Sequence, residues 1–124
     1  MELIYVAGPY TAPTHSGIED NIKKAEAASI QLFLVGWNVY TPHKNTSHYE
    51  MYEAVCDLDY NDWINTTLDM LKRCDAMYVL NGYENSKGTQ GEIKYALENN
   101  IPIFYQKDKI PYPVDTDEPG FIKT

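Results

Sequence analysis

The stretch from residue 76 to residue 105 restricts the possible folds more than any other part of the chain. An apolar run over residues 76–80 is followed by a loop with two glycines, Gly88 and Gly91, by a segment of helical composition, and by a second apolar run over residues 101–105. This order predicts a strand, a loop, a helix and a strand, the unit from which parallel sheets are built. The loop would lead from a strand end into a helix start, where backbone N–H groups and the helix dipole favour bound anions.

Glu92 follows this loop and allows two interpretations. In the first, Thr89 is the N-cap of the helix and Glu92 closes a capping box by accepting a hydrogen bond from the Thr89 N–H. In the second, Glu92 is a nucleophile or general base at a pocket with Gly88 and Gly91 as its floor, because glycines permit a close approach of the backbone to a ligand. This stretch alone fits both interpretations, so the rest of the chain has to separate them.

The remaining chain continues the alternation of apolar runs and helical segments. Residues 3–7 and 37–41 are predicted as strands, and residues 18–36 and 57–73 as helices. Four strands alternating with three helices predict an α/β fold, in which a parallel sheet carries helices on both faces. Residues 44–57 have no clear periodicity and are interpreted as a partly helical insertion that covers the site.

Polar and glycine-rich segments follow three of the predicted strands. Gly8 and Tyr10 come directly after the first strand, His43 follows the second, and residues 81–86 follow the third. Because the carboxyl ends of parallel strands meet at one edge of the sheet, these groups are expected to converge there, where open α/β folds bind ligands. This convergence favours the functional interpretation of Glu92 over the capping box.

Composition limits the class of protein. The 124 residues predict a single domain, residues 1–124, with an irregular tail over residues 106–124. A net charge of −8 argues against binding to DNA or RNA, and no apolar run is long enough to cross a membrane. Two cysteines, Cys56 and Cys74, indicate reduced thiols and a cytoplasmic location. No spacing typical of a metal site, an NAD site or an ATP phosphate loop is present, so no metal or cofactor is expected.

Four short motifs occur in order along the chain: Val6-Ala-Gly-Pro-Tyr10, Pro42-His43, Cys74-Asp75-Ala-Met-Tyr-Val-Leu80 and Ser86-x-Gly-Thr-x-x-Glu92-x-x-x-Ala96. Together they resemble the nucleoside 2-deoxyribosyltransferase-like superfamily over roughly residues 2–105. Within it, they are most similar to the short phage and bacterial members and to the deoxynucleoside 5′-monophosphate N-hydrolases.

The resemblance implies a fold, a reaction and a set of site residues. The fold would be flavodoxin-like or Rossmann-like, with three layers and a four- to five-stranded parallel sheet, in a homodimer or higher homo-oligomer. The reaction would be cleavage of the base–sugar bond of a (deoxy)nucleoside 5′-monophosphate, by hydrolysis or base transfer and without a cofactor. Glu92 corresponds to the nucleophile and Ser86 to the serine that contacts the 5′-phosphate, while Tyr10 and His43 match residues that contact sugar and base. The predicted substrate-binding residues are Gly8, Pro9, His43, Ser86, Gly88 and Thr89, and the predicted catalytic residues are Glu92, Asp69 and Tyr10.

One position departs from the superfamily pattern. Its members carry an aspartate about eight residues before the position of Asp75, where it assists the leaving base, and this chain has Thr67 there. Asp69 is the nearest acidic residue, although on a regular helix it would point about 200° away from Thr67. Two other functions therefore stay open: a catalytically weak protein that binds or sequesters nucleotides, and a regulatory protein that binds another protein through the tyrosine-rich insertion.

Overall fold

The computed structural model describes residues 2–45 and 60–113, and that part of the chain contains four strands and four α-helices. In chain order the elements are β1 (Leu3–Ala7), α1 (His15–Leu34), β2 (Asn38–Tyr40), α2 (Pro42–Asn45), α3 (Tyr60–Leu71), β3 (Ala76–Val79), a 3₁₀ turn (Tyr83–Asn85), α4 (Lys87–Glu98) and β4 (Ile103–Tyr105). Most of the insertion predicted over residues 44–57 lies outside the described residues, as do residues 114–124 of the predicted tail.

The four strands form one parallel sheet in the order β2-β1-β3-β4, which confirms the predicted α/β fold. β1 is an interior strand, and Ile4 pairs with Val39 of β2 on one side and with Ala76 of β3 on the other. A strand covered on both faces needs apolar side chains in both directions, which is why β1 reads as a continuous apolar run instead of an alternating one.

The two faces of the sheet bury separate hydrophobic clusters, so the fold has three layers. Alternate side chains of β1 serve each face, because successive residues of a strand point to opposite sides. The cluster that includes α1 contains Ile4, Val6, Ala25, Ala28, Leu32, Trp37, Ala76, Tyr78 and Leu80. The cluster that includes α4 and the end of α3 contains Tyr5, Ala7, Leu71, Cys74, Met77, Val79, Ile93 and Ala96.

Two helices begin earlier than the sequence predicted. α1 starts at His15, because the Thr14 side chain accepts a hydrogen bond from the Gly17 N–H (3.0 Å) and acts as the N-cap. α4 starts at Lys87, with Ser86 in place of Thr89 as its N-cap. Glu92 is therefore in the second turn of α4 and not in the first.

The residues after β4 pack back onto the domain. Residues 106–113 form neither helix nor strand, but they are anchored. The indole N–H of Trp37 donates to the carbonyl of Pro111 (2.9 Å), Pro113 is fully buried, and Ile110 packs on the α1 cluster.

Within residues 2–45 and 60–113, no helix combines the length and the apolar composition that crossing a membrane would require.

Candidate active site

A cavity of about 630 Å³ opens at the carboxyl edge of the sheet, between the end of β1, the start of α2 and the start of α4. Eight of the nine predicted site residues line it, which brings together the segments that follow three different strands. The complete lining is Val6, Ala7, Gly8, Pro9, Tyr10, Thr11, Ile18, Pro42, His43, Ile64, Thr67, Asn85, Ser86, Lys87, Gly88, Thr89 and Glu92.

Gly8 is where the first strand turns towards this cavity. A Cβ atom at Gly8 would lie 2.7 Å from the side chain of Leu80, closer than real Cβ contacts. A larger residue would push apart the ends of β1 and β3, so the glycine is required by packing at the sheet edge.

Glu92 is buried on the cavity wall, with 8% of its surface exposed, and accepts a short hydrogen bond from the hydroxyl of Tyr5. Its carboxylate is thus held by a residue of β1 and not by the backbone at the helix start. Burial raises the pKa of Glu92 to about 7, and the hydrogen bond from Tyr5 acts in the opposite direction by favouring the carboxylate. The pKa of Tyr5 is raised well above its usual value, first by its own burial and then by the charge of Glu92.

Tyr5 is the residue of the site that sequence reasoning missed. It lies in the middle of an apolar strand, where a tyrosine reads as a core residue. The alternation of side chains along β1 could have indicated its role. Leu3, Tyr5 and Ala7 share one face of the strand, and that face packs against α4, the helix that carries Glu92.

The start of α4 presents backbone donors and hydroxyl groups to the same cavity. Ser86 Oγ accepts from the Thr89 N–H (3.2 Å) and from the Thr89 hydroxyl (2.8 Å). The N–H of Gly88, one of the first amides of the helix, has no protein partner among the described residues. A Cβ atom at Gly88 would meet nothing within 4 Å, so this side of the helix start faces open space.

His43 and Tyr10 form the opposite part of the wall. Nε2 of His43 donates to the carbonyl of Pro9 (2.8 Å), since a carbonyl oxygen can only accept. Burial lowers the pKa of His43, against the effect of the Pro9 and Gly8 carbonyls, so the neutral ring is favoured. Nδ1 is then an acceptor, and it is buried without a partner in the described part of the chain. The rings of Tyr10 and His43 meet edge to face at 5.8 Å.

The structure does not bring Asp69 to the cavity. Asp69 lies on the solvent side of α3, where it pairs with Lys72 (2.9 Å) and Arg73 (3.7 Å), and these partners lower its pKa. Thr67 takes the place on the cavity wall instead, and its hydroxyl donates to the carbonyl of Ile64 (2.9 Å). Asp69 and Thr67 face opposite sides of α3 because two residues along a helix correspond to about 200° of rotation.

His15 also lies outside the cavity lining, in the first turn of α1, with Nε2 3.6 Å from the Glu19 carboxylate. Among the described residues, no group of three or more histidine, cysteine, aspartate or glutamate side chains is arranged to hold a metal ion.

Comparisons with known proteins match both the sequence and the fold. Residues 2–105 match the family described as a domain of unknown function (DUF4406). A solved structure of a 2-deoxyribosyltransferase from the psychrotolerant bacterium Bacillus psychrosaccharolyticus superposes with a TM-score of 0.59 and 19% sequence identity, over 83% of this chain and 70% of that one. That enzyme is described as a biocatalyst for the synthesis of antiviral and antitumoral nucleosides. At this identity the similarity establishes a shared fold. No curated protein sequence matches this chain.

Proposed function

The chain belongs to the family described as a domain of unknown function (DUF4406), and we propose that it cleaves the base–sugar bond of (deoxy)nucleoside 5′-monophosphates. The observation that carries the proposal is the Glu92 carboxylate, buried on a cavity wall and held by the Tyr5 hydroxyl. Burying an ionisable carboxyl group lowers stability, so its position is better explained by chemistry than by packing. The fold shared with a 2-deoxyribosyltransferase supports the same class of reaction.

Glu92 is the nucleophile in this proposal. One of its carboxylate oxygens attacks C1′ of the sugar while the C1′–N bond breaks, and the electron pair of that bond leaves with the base. The base takes up a proton from solvent. Water then attacks C1′ of the glycosyl-enzyme in hydrolysis, or a second base attacks it in transfer. The bond between C1′ and the Glu92 oxygen breaks, its electron pair stays on Glu92 as the carboxylate, and the attacking group loses a proton to solvent. Since only the ionised form is nucleophilic, base release is expected to increase as the pH rises through the Glu92 pKa of about 7.

The start of α4 is the proposed phosphate site. The Ser86 hydroxyl and the Gly88 N–H can donate to phosphate oxygens, and the helix dipole favours a negative charge there. The open space beside Gly88 leaves room for the phosphate. Both donors of Thr89 are already used on Ser86, so Thr89 serves this site through Ser86 and not by direct contact.

Sugar and base are assigned to the other side of the cavity. The chain turns at Gly8 and Pro9 and places the Tyr10 ring on the wall, next to the His43 ring. We assign Tyr10 to the sugar that reacts with Glu92. We assign His43, whose ring lines the wall beside Tyr10, to the base.

A second candidate function, nucleotide binding with little or no turnover, is favoured by one observation. Thr67 lies on the cavity wall where the superfamily resemblance expects an aspartate, and Asp69 points to solvent. A threonine hydroxyl cannot supply a proton to a leaving base as a carboxylic acid can. Bases that leave easily would still be released, but slowly.

The test is to incubate the protein with each common deoxynucleoside 5′-monophosphate, its ribonucleotide and its nucleoside, and to measure free base by chromatography. Release that is lost in Glu92→Gln and kept in Glu98→Gln, an exposed glutamate on the same helix, supports the enzyme. Absence of release from every compound refutes it. Calorimetric binding of an intact nucleotide without base release would then support the second candidate.

Two further proposals follow from the sequence and the resemblance. The protein is proposed to act as a homodimer or higher homo-oligomer, which sedimentation equilibrium would test against a mass of 14.2 kDa for one chain. A reducing, cytoplasmic location is proposed, and the free, buried thiol of Cys74 supports it. Fractionation of the source cells would test the location.

A further inference from the structure

The hydroxyl of Ser86 has both of its acceptor positions occupied. Its oxygen accepts the backbone N–H of Thr89 at 3.2 Å and the side-chain hydroxyl of Thr89 at 2.8 Å. A serine oxygen has two lone pairs and one proton. With both lone pairs used, Ser86 can take part in a further hydrogen bond only by donating.

That remaining proton is available to a ligand in the cavity. Ser86 lies on the cavity wall and is partly exposed, and within the described part of the chain its hydroxyl accepts hydrogen bonds but donates none. Thr89 is itself buried, with 1% of its surface exposed, and its hydroxyl donates to Ser86 inside the protein.

A second residue of the cavity wall, His43, also carries a polar atom without a hydrogen-bond partner in the described part of the chain. His43 is 4% exposed, and its Nδ1 lacks a partner among the described residues while its Nε2 is held by Pro9. An orphaned buried acceptor is unfavourable unless something binds it. The cavity wall thus presents a donor at Ser86, and it includes the His43 ring, whose Nδ1 is buried and unpartnered in the described part of the chain.

We propose that Thr89 is a positioning residue that makes Ser86 an obligate hydrogen-bond donor, so that the site selects a 5′ group composed only of acceptors, a phosphate dianion. This inference rests on the proposed function and adds the determinant of its preference for a nucleotide over a nucleoside. A 5′-hydroxyl group can accept from Ser86 only as a neutral oxygen, and it cannot donate back. A dianionic phosphate accepts a stronger, charge-assisted hydrogen bond.

The test compares Thr89→Val with Thr89→Ser in the intact protein. Valine has the shape of threonine and keeps the backbone N–H, but it frees one lone pair of Ser86, which can then accept as well as donate. We expect the preference for the monophosphate, measured as kcat/KM for the nucleotide divided by kcat/KM for the nucleoside, to fall about tenfold through KM, with kcat little changed. Thr89→Ser retains the hydroxyl and should restore the preference.

Several outcomes would overturn the inference. One is an unchanged preference in Thr89→Val; another is an equal loss in Thr89→Val and Thr89→Ser, which indicates a packing role. If Thr89→Val does not fold, Thr89→Ala removes the same hydroxyl without adding a methyl group. The ratio of kcat/KM for the nucleotide to kcat/KM for the nucleoside is then measured for this variant instead. In a Ser86→Ala background, Thr89→Val should cause no additional loss of preference, and an additional loss contradicts the proposed path through Ser86.

The proposed function can fail separately from this inference. If wild-type protein releases base and Glu92→Gln does not, the glycosidase proposal stands whatever the Thr89 variants do. If no base is released, the same preference is measured as the ratio of calorimetric dissociation constants for nucleotide and nucleoside. A protein that binds neither compound refutes both.

Discussion

Replacing Glu92 by glutamine separates the cost of burying this carboxyl group from its chemical use. The native pKa of about 7 lies above the value of 4.5 for an unperturbed glutamate, so the folded protein binds the proton more tightly than the unfolded chain. Below a pH of about 4.5 both states are protonated and Glu92 causes no loss of stability. As the pH rises to about 7 the native state is progressively penalised, by about 3 kcal/mol in total at 1.36 kcal/mol per pKa unit.

Glutamine cannot ionise, so Glu92→Gln avoids this penalty. Its carbonyl oxygen still accepts from Tyr5, and the stronger hydrogen bond that an ionised carboxylate accepts is already included in the pKa of about 7. We therefore expect the variant to be about 3 kcal/mol more stable than wild type at a pH of about 8, and to have an advantage of less than about 1 kcal/mol at a pH of about 5. It should also release no base, so the same change would increase stability and abolish activity.

Urea denaturation of both proteins at several pH values between about 5 and 8.5 measures this difference. Glu98→Gln, which alters an exposed glutamate of α4, is the control and should follow wild type at every pH. A stability difference between Glu92→Gln and wild type that does not depend on pH would refute the reasoning. So would a variant that is less stable than wild type at a pH of about 8.

Three other substitutions test neighbouring parts of the structure. Tyr5→Phe removes the hydrogen bond that lowers the Glu92 pKa, so the midpoint of the pH–rate profile for base release should move to higher pH; an unchanged midpoint would contradict the assigned contact. Gly88→Ala places a methyl group where no atom lies within 4 Å, so thermal stability should be kept or raised by about 0.5–1 kcal/mol, while calorimetry should show weaker nucleotide binding. Undiminished binding would place the phosphate elsewhere. Asn100→Gly should raise the free energy of unfolding by about 0.5 kcal/mol, because Asn100 has a left-handed φ of 58° after α4, and a loss of stability in urea would argue against this.

The sheet could be predicted from the sequence because strands buried on both faces leave continuous apolar runs. β1 was predicted with the bounds that the structure has, and β3 to within one residue. The start of α4 was harder to predict than the strands. Ser86 and Thr89 are both acceptable N-caps, so the sequence allows two starting points for this helix. In the structure Ser86 is the N-cap, and Glu92 is bonded to Tyr5 instead of closing a capping box.

The site was predicted only in part, for a related reason. Residues that follow strand ends converge by topology alone, so Gly8, His43 and Ser86 could be placed together without a structure. Tyr5 could not be placed in the site in this way, because its partner Glu92 is 87 residues away in the chain and no local sequence pattern indicates that contact. Asp69 differs from Tyr5, because a local pattern did give its direction. The rotation along a helix indicated that it would point away from Thr67, and in the structure it forms surface ion pairs.

The hydrogen bond between Trp37 and Pro111 has a practical consequence for anyone who shortens this protein. The family match ends at residue 105, which invites truncation there. Such a cut would remove the only acceptor that the described residues offer to the Trp37 indole, together with the buried ring of Pro113, and would open the α1 side of the interior to water. The smallest version expected to stay monodisperse and resist proteolysis thus extends at least to residue 113.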